Sequence, residues 1–209
     1  MCYTFNASLW SFVTSTIFSV ILMRFNVVLG GFFLFVGLMQ LYDLIFWSHL
    51  SKNNINFIST KMAMISNNFQ PVVLGLLLIL TKVKLNKFTL ILFVIYLITS
   101  IIYSIYSWNK ISYTLISPSS SPSLYWEWNN LPGSPYYYSF YLIITILLLY
   151  DGFTWPLNYI LIGIMSVSFI FSYYNFKKEF STGRFWCYFT GFIPALIIIV
   201  LIILKNYIL

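Results

Sequence analysis

The sequence predicts an all-α polytopic membrane protein, a single domain built as a bundle of seven transmembrane helices, and three observations carry that expectation. First, 60% of the 209 residues are hydrophobic and only 7% are charged, with a mean hydropathy of +0.88. Eleven basic and four acidic residues are too few to cover a soluble surface, whereas lipid accepts apolar side chains all round a helix. Second, the apolar runs have the length of about 20 residues that crosses ~30 Å of hydrocarbon. Third, polar, basic or Gly/Pro-containing stretches interrupt those runs at intervals suited to loops.

The first span runs from about Ala7 to Phe25, and its Ser8, Ser11, Ser15 and Ser19 recur on one face, where small residues let helices approach closely. No basic region or cleavage pattern accompanies this run, so it reads as a retained helix. The second, about Val28 to Leu50, carries Gln40, Asp43 and Trp47 on one face and ends at His49, the only histidine, read as a solvated interfacial residue. The third, about Phe57 to Leu80, holds Asn67, Asn68 and Gln70 followed by Pro71. A proline there kinks the helix and frees a carbonyl near the amides.

A basic loop with Lys82, Lys84 and Lys87 leads to the fourth span, about Phe88 to Trp108, whose Tyr96, Thr99 or Ser100, Tyr103 and Ser107 form a hydroxyl stripe. Such a stripe lines a cavity or joins neighbouring helices. Residues 109–136 are the one long loop, and its Glu127 lies between Trp126 and Trp128. That pattern suits either an ordinary interfacial loop or a lid with its rings in the headgroup region. The fifth span, about Tyr137 to Phe153, is short and has re-entrance as its alternative. Asp151 reads as a solvated turn acid before the sixth span, about Pro156 to Phe176. The seventh runs from about Phe185 to Leu204, with Cys187 in its first turn and Pro194 further in.

Seven spans place the N-terminus, the loop after span two and the 109–136 loop on one face, the N side, and the C-terminus on the other. At ~1.5 Å per residue, Asp43 falls roughly 6 Å from the midplane, with Asn67, Asn68, Tyr103, Ser11, Thr190 and Cys187 in the same half. Lipid offers no hydrogen-bond partners, so these groups must find them inside the protein. A ligand-binding pocket of Gln40, Asp43, Asn67, Asn68, Gln70 and Tyr103, capped by the loop holding Glu127, is therefore expected. Its ligand would be a small polar solute or cation, with Asp43 as the charged or proton-exchanging member. An interhelical hydrogen-bond network without a ligand is the competing reading. Basic residues number six on the N side and five on the other, so charge does not orient the chain.

The net charge of +7 is scattered over short loops and does not form a nucleic-acid-binding patch, so the expected partner is the lipid bilayer. One interfacial histidine cannot build a zinc site, and no mid-membrane lysine suits a retinal Schiff base. No cofactor is expected, and no phosphate loop or hydrolase motif is present. An enzyme would have to use Cys2 or Cys187 as a thiol nucleophile, with packing, lipidation or pairing as the competing states. The abundance of Phe, Tyr, Ile and Asn beside three alanines and two arginines resembles translation of an AT-rich genome.

Two resemblances add to this. Phe69-Gln70-Pro71 before Lys82 parallels Phe192-Ile193-Pro194 before Lys205, and this spacing resembles the parallel repeat of three-plus-one-plus-three sugar transporters and their seven-helix relatives. Met1-Cys2-Tyr3-Thr4 with Ser8, Met39-Gln40 followed by Asp43 and Trp47, Gln70-Pro71, and the GRFWC stretch from Gly183 to Cys187 resemble a family of uncharacterised multi-pass membrane proteins of large DNA viruses and protists. That family implies a multi-pass fold in a host membrane where the source is viral, and no activity.

Overall fold

The computed structural model describes residues 4–116, 124–176, 186 and 188–208, with the side chains of 175, 176 and 205–208 left out. Cys2, Cys187, Lys177, Lys178 and Arg184, and the side chain of Lys205, lie outside the described residues. Eight helices are described: α1 (Phe5–Met23), α2 (Val27–Ser48), α3 (Asn54–Asn68), α4 (Gln70–Leu80), α5 (Lys87–Lys110), α6 (Ser134–Gly152), α7 (Leu157–Phe176) and α8 (Ile193–Ile208). The long loop contributes a two-stranded antiparallel ladder, β1 (Leu115–Ile116) with β2 (Leu124–Tyr125), and a single turn of 3-10 helix at Glu127–Asn130.

The helices start where short polar side chains satisfy their first free N–H groups. Thr4 Oγ1 accepts from Ala7 N at 3.2 Å, Asn26 Oδ1 from Leu29 N at 2.9 Å, Asn53 Oδ1 from Asn56 N at 2.9 Å and Asn86 Oδ1 from Phe88 N at 3.0 Å. Several asparagines that composition alone assigns to nucleotide bias therefore punctuate the fold. α6 starts instead from Gly133, whose φ of +87° lies in the left-handed region, where glycine carries no Cβ penalty.

Four helices, α1, α2, α5 and α7, are long and apolar enough to cross a membrane, or five if the pair α3 and α4 counts as one. The expected count of seven is thus not reached on length and composition. α6 has 19 residues, but its first half is SPYYYSFY, and phenols lower its hydropathy. The described apolar part of the last helix is the shorter Ile193–Leu204. The pair α3 and α4 is bent by 54°, and the break falls at Phe69 between them. Pro71 stands in the first turn of α4, where its missing N–H costs no helical bond. Pro194 is likewise the second residue of α8.

α1 packs along α2 through its serine face. Ser8, Ser11, Ser15 and Ser19 are all buried, and a Cβ at Gly37 would come within 2.7 Å of Ser15 Oγ. One at Gly191 would overlap Ser11. The main core gathers Leu29, Phe33, Leu74, Leu78, Phe93, Tyr96, Ile144, Leu148 and Ile197 from five helices. A second core at the N side gathers Met39, Phe46, Ala63 and Met64 with Ile111, Leu124, Trp126 and Trp128 of the long loop.

Candidate functional site

The break at Phe69 organises the polar interior, because it leaves the Asn68 carbonyl to side-chain donors. That carbonyl accepts from Tyr96 Oη at 2.9 Å and from Tyr137 Oη at 3.1 Å. The Asn68 side chain is also engaged: Nδ2 donates to Ser104 Oγ at 3.1 Å and Oδ1 accepts from Tyr138 Oη at 3.4 Å. Asn67 Nδ2 donates to the same Tyr138 oxygen at 2.9 Å. Ser100 Oγ lies 3.2 Å from the same Tyr137 oxygen, within reach to donate to it, and the Tyr137 ring stacks on Tyr103 with centroids 4.1 Å apart. The stripe of α5 thus joins helices: Tyr96, Ser100, Tyr103 and Ser107 are buried, tying α5 to the break and to α6.

Gln70, one residue past the break, belongs to a different environment. Its Oε1 accepts from Tyr141 Oη, while its Nε2 is buried with no hydrogen-bond partner among the described residues. Gln70 lines a cavity of about 50 Å³ whose other walls include Phe32, Phe33 and Val36 of α2, Tyr141 and Thr145 of α6, Leu161 and Ile164 of α7, Trp186 and Thr190. That cavity is apolar except for Gln70, the Tyr141 phenol and the threonines.

Of the expected pocket, then, Asn67 and Asn68 come together, but around tyrosines. Gln40 and Asp43 are fully buried on α2, one turn apart. Tyr103 donates to the Trp128 carbonyl at 3.1 Å, so it does meet the loop that holds Glu127. Glu127 itself is exposed at the start of the 3-10 turn. Trp126 and Trp128 are buried inside the protein, 2% and 0% exposed, and stack on each other at 5.1 Å. Asp151, expected to be solvated, accepts from Asn86 N at 3.0 Å through Oδ2. His49 caps α2 with Nδ1 3.1 Å from the Ile45 carbonyl.

Comparison of the chain with family models, with curated proteins and with solved structures finds no match. Among the described residues no group of three or more His, Cys, Asp and Glu is placed to hold a metal ion.

Sequence reasoning passed over two sets of residues. Tyr137, Tyr138 and Tyr141 fall at i, i+1 and i+4 of α6 and supply most of the amide partners, yet on a hydropathy reading they only thin an apolar run. Lys61 counts among the basic residues of the N side but is 3% exposed. Its ammonium donates to the carbonyls of Trp108 and Ile111 and sits 5.1 Å from the rings of both Phe57 and Trp108. Its signal was position: it lies about one turn inside the span expected to start at Phe57.

Proposed function

We propose that this chain is an integral membrane protein of seven crossings that binds a small molecule inside its bundle, at the break in the third crossing. One observation carries the reading: Gln70 lines an internal cavity while its Nε2 lacks a partner among the described residues. A buried donor left unmade costs about 1–3 kcal/mol, and a ligand acceptor removes that cost. The seven crossings are supported by the way helix ends meet. The end of α5 is bonded to the start of α3 through Thr114 and Asn56, and the start of α5 to the end of α6 through Asn86 and Asp151. α3 with α4, α5 and α6 therefore traverse the same depth.

The test is native mass spectrometry of the purified protein against a panel of polar solutes, cations and lipophilic molecules. Wild type should retain one ligand per chain, and Thr145→Leu, which fills the cavity, should lose it while keeping its helical circular dichroism. Equal retention by both proteins, or by neither, would remove this reading.

A second reading keeps the small polar solute or cation as ligand and rests on Asp43, an acid 0% exposed inside a helix of spanning length. Such a carboxylate is held by partners or takes up a proton, which suits binding or transport with proton or cation exchange. Flux into proteoliposomes that is unchanged in a folded Asp43→Asn protein would dismiss it. In both readings Asn67 and Asn68 serve as scaffold, since their amides are already bonded to α5 and α6. The resemblance to the viral and protist family is compatible with either and supplies no activity.

A further inference from the structure

The cavity at Gln70 has a neighbour on the outside of the bundle. A groove of about 580 Å³ between α7 and the segment leading into α8 is lined by Ile160, Gly163, Ile164, Val167, Ser168, Phe171, Phe189 and Leu196. Ile164 lines both spaces. A second partition joins them as well: the Trp186 ring lines the cavity, and its Nε1 donates at 3.0 Å to Ser168 Oγ, which lines the groove. At the groove floor a Cβ on Gly163 would meet nothing within 4 Å. α7 has the length and apolarity of a membrane crossing, so this groove opens toward hydrocarbon and not toward water.

We infer that the ligand is a lipid-soluble carbonyl compound that reaches the site sideways from the bilayer. Its apolar chain lies in the α7 groove over Gly163, and its carbonyl oxygen passes the Ile164 and Trp186 partition to accept a hydrogen bond from Gln70 Nε2. This deepens the proposed function and rests on it. The chemistry follows from the walls. The unpartnered atom of Gln70 is a neutral donor, so it selects an acceptor and gives no energy to a bare hydrocarbon. Among the described residues no lysine, arginine, aspartate or glutamate lines either space, so an ionised head would find no counter-charge among them. The groove is apolar apart from Ser168, whose hydroxyl is already within hydrogen-bond reach of Met165 O and Trp186 Nε1. A polar solute therefore gains nothing along that route.

The experiment uses full-length protein in lipid nanodiscs and three radiolabelled probes of equal chain length: a methyl ketone, the parent alkane and the primary alkylamine. One added hydrogen bond in an apolar site corresponds to roughly tenfold in affinity, so the ketone should bind saturably about tenfold tighter than the alkane. Gln70→Leu should abolish that preference and leave alkane binding unchanged. Gly163→Leu, placed in open space, should weaken both ligands; it reports independently if Gln70→Leu does not fold. Ketone and alkane bound equally, or the amine bound best, overturns the inference while leaving a small-molecule site in place. Ketone binding that survives Gly163→Leu unchanged overturns the sideways route. No saturable probe binding, with a polar solute still retained in the Thr145→Leu comparison, overturns the ligand class alone; loss of every ligand takes the proposed function with it.

Discussion

Asn56 and Thr114 are joined by two hydrogen bonds in opposite directions. Asn56 Nδ2 donates to the Thr114 carbonyl at 2.8 Å, and Thr114 N donates to Asn56 Oδ1 at 2.9 Å. The asparagine amide thus acts as a neighbouring strand would, and it fixes the chain leaving α5 against the start of α3. Thr60 Oγ1 adds a bond to Thr114 Oγ1 at 3.0 Å. Behind this clamp the loop turns inward and buries Leu124, Trp126 and Trp128.

Asn56→Leu removes both bonds and strands a buried N–H and C=O, each costing about 1–3 kcal/mol. Amide hydrogen exchange at Thr114 should then accelerate by about a hundredfold or more. Trp126 and Trp128 should become accessible to an aqueous quencher. Asn56→Asp should behave in the same way, because a carboxylate keeps the acceptor and loses the donor. Unchanged exchange at Thr114 in both variants would show that the loop is held elsewhere.

Lys61 holds the carboxyl end of α5. Its ammonium bonds the carbonyls of Trp108 and Ile111, where the negative end of the helix dipole favours a cation. Lys61→Met preserves the stem and leaves both carbonyls to find other partners. Denaturation in detergent should show a loss of about 1–3 kcal/mol, with Lys61→Gln recovering part of it through its amide donor. A Lys61→Met protein as stable as wild type would mean that burying the cation cancels the bonds it makes.

Much of the helix layout was legible because an apolar run and its polar punctuation are local properties. The span from Val28 to Leu50 is realised as Val27–Ser48, and the span from Phe88 to Trp108 as Lys87–Lys110. The site was less legible because it depends on what faces what. Asn68 and Gln70 are two residues apart and read as one cluster, yet a 54° bend sends one toward Ser104 and Tyr138 and the other toward Tyr141 and the cavity. Tyr137 and Tyr138 look like interfacial aromatics in sequence, and only packing against the break makes them hydrogen-bond donors to amides. Trp126 and Trp128 flank a charged residue in a polar loop, a local context that predicts exposure. Their burial comes from the Asn56 clamp far away in sequence.

Tyr137 tests whether the network at the break is scaffold. Tyr137→Phe keeps the stack on Tyr103 and deletes one of the two donors to the Asn68 carbonyl, which retains Tyr96. The expected loss is about 0.5–1.5 kcal/mol, with ligand retention in the cavity unchanged. The double variant Tyr96→Phe with Tyr137→Phe leaves that carbonyl without a phenol donor and should cost more than the two single losses added together. Strict additivity would indicate that water replaces the phenols.

Gly75 of α4 lies against the Phe93 ring of α5: any Cβ there would overlap the ring, which is 3% exposed. Gly75→Ala should destabilise by about 1–3 kcal/mol through overpacking, and Phe93→Leu in the same chain should restore most of the loss. Failure of that second change to rescue would place the strain outside this contact.

The bent pair decides the topology, and the helix ends give the expectation. α5 has 24 residues, about 36 Å at ~1.5 Å per residue. It begins beyond the end of α4 and ends beside the start of α3, where Thr114 meets Asn56. A re-entrant α3 and α4 would return to the face they left and bring both ends of α5 near that face, whereas a helix of this length is expected to reach from one face to the other. Lys52 and Lys84 are both exposed and flank the pair, so single Lys52→Cys and Lys84→Cys variants in a cysteine-free background report on it directly. An impermeant thiol reagent should label them from opposite faces of sealed vesicles. Compartment reporters fused to the two termini should also fall on opposite faces, as seven crossings require. Labelling of both cysteines from one face would make the pair re-entrant, and would move the Gln70 cavity from mid-bundle to the floor of a vestibule.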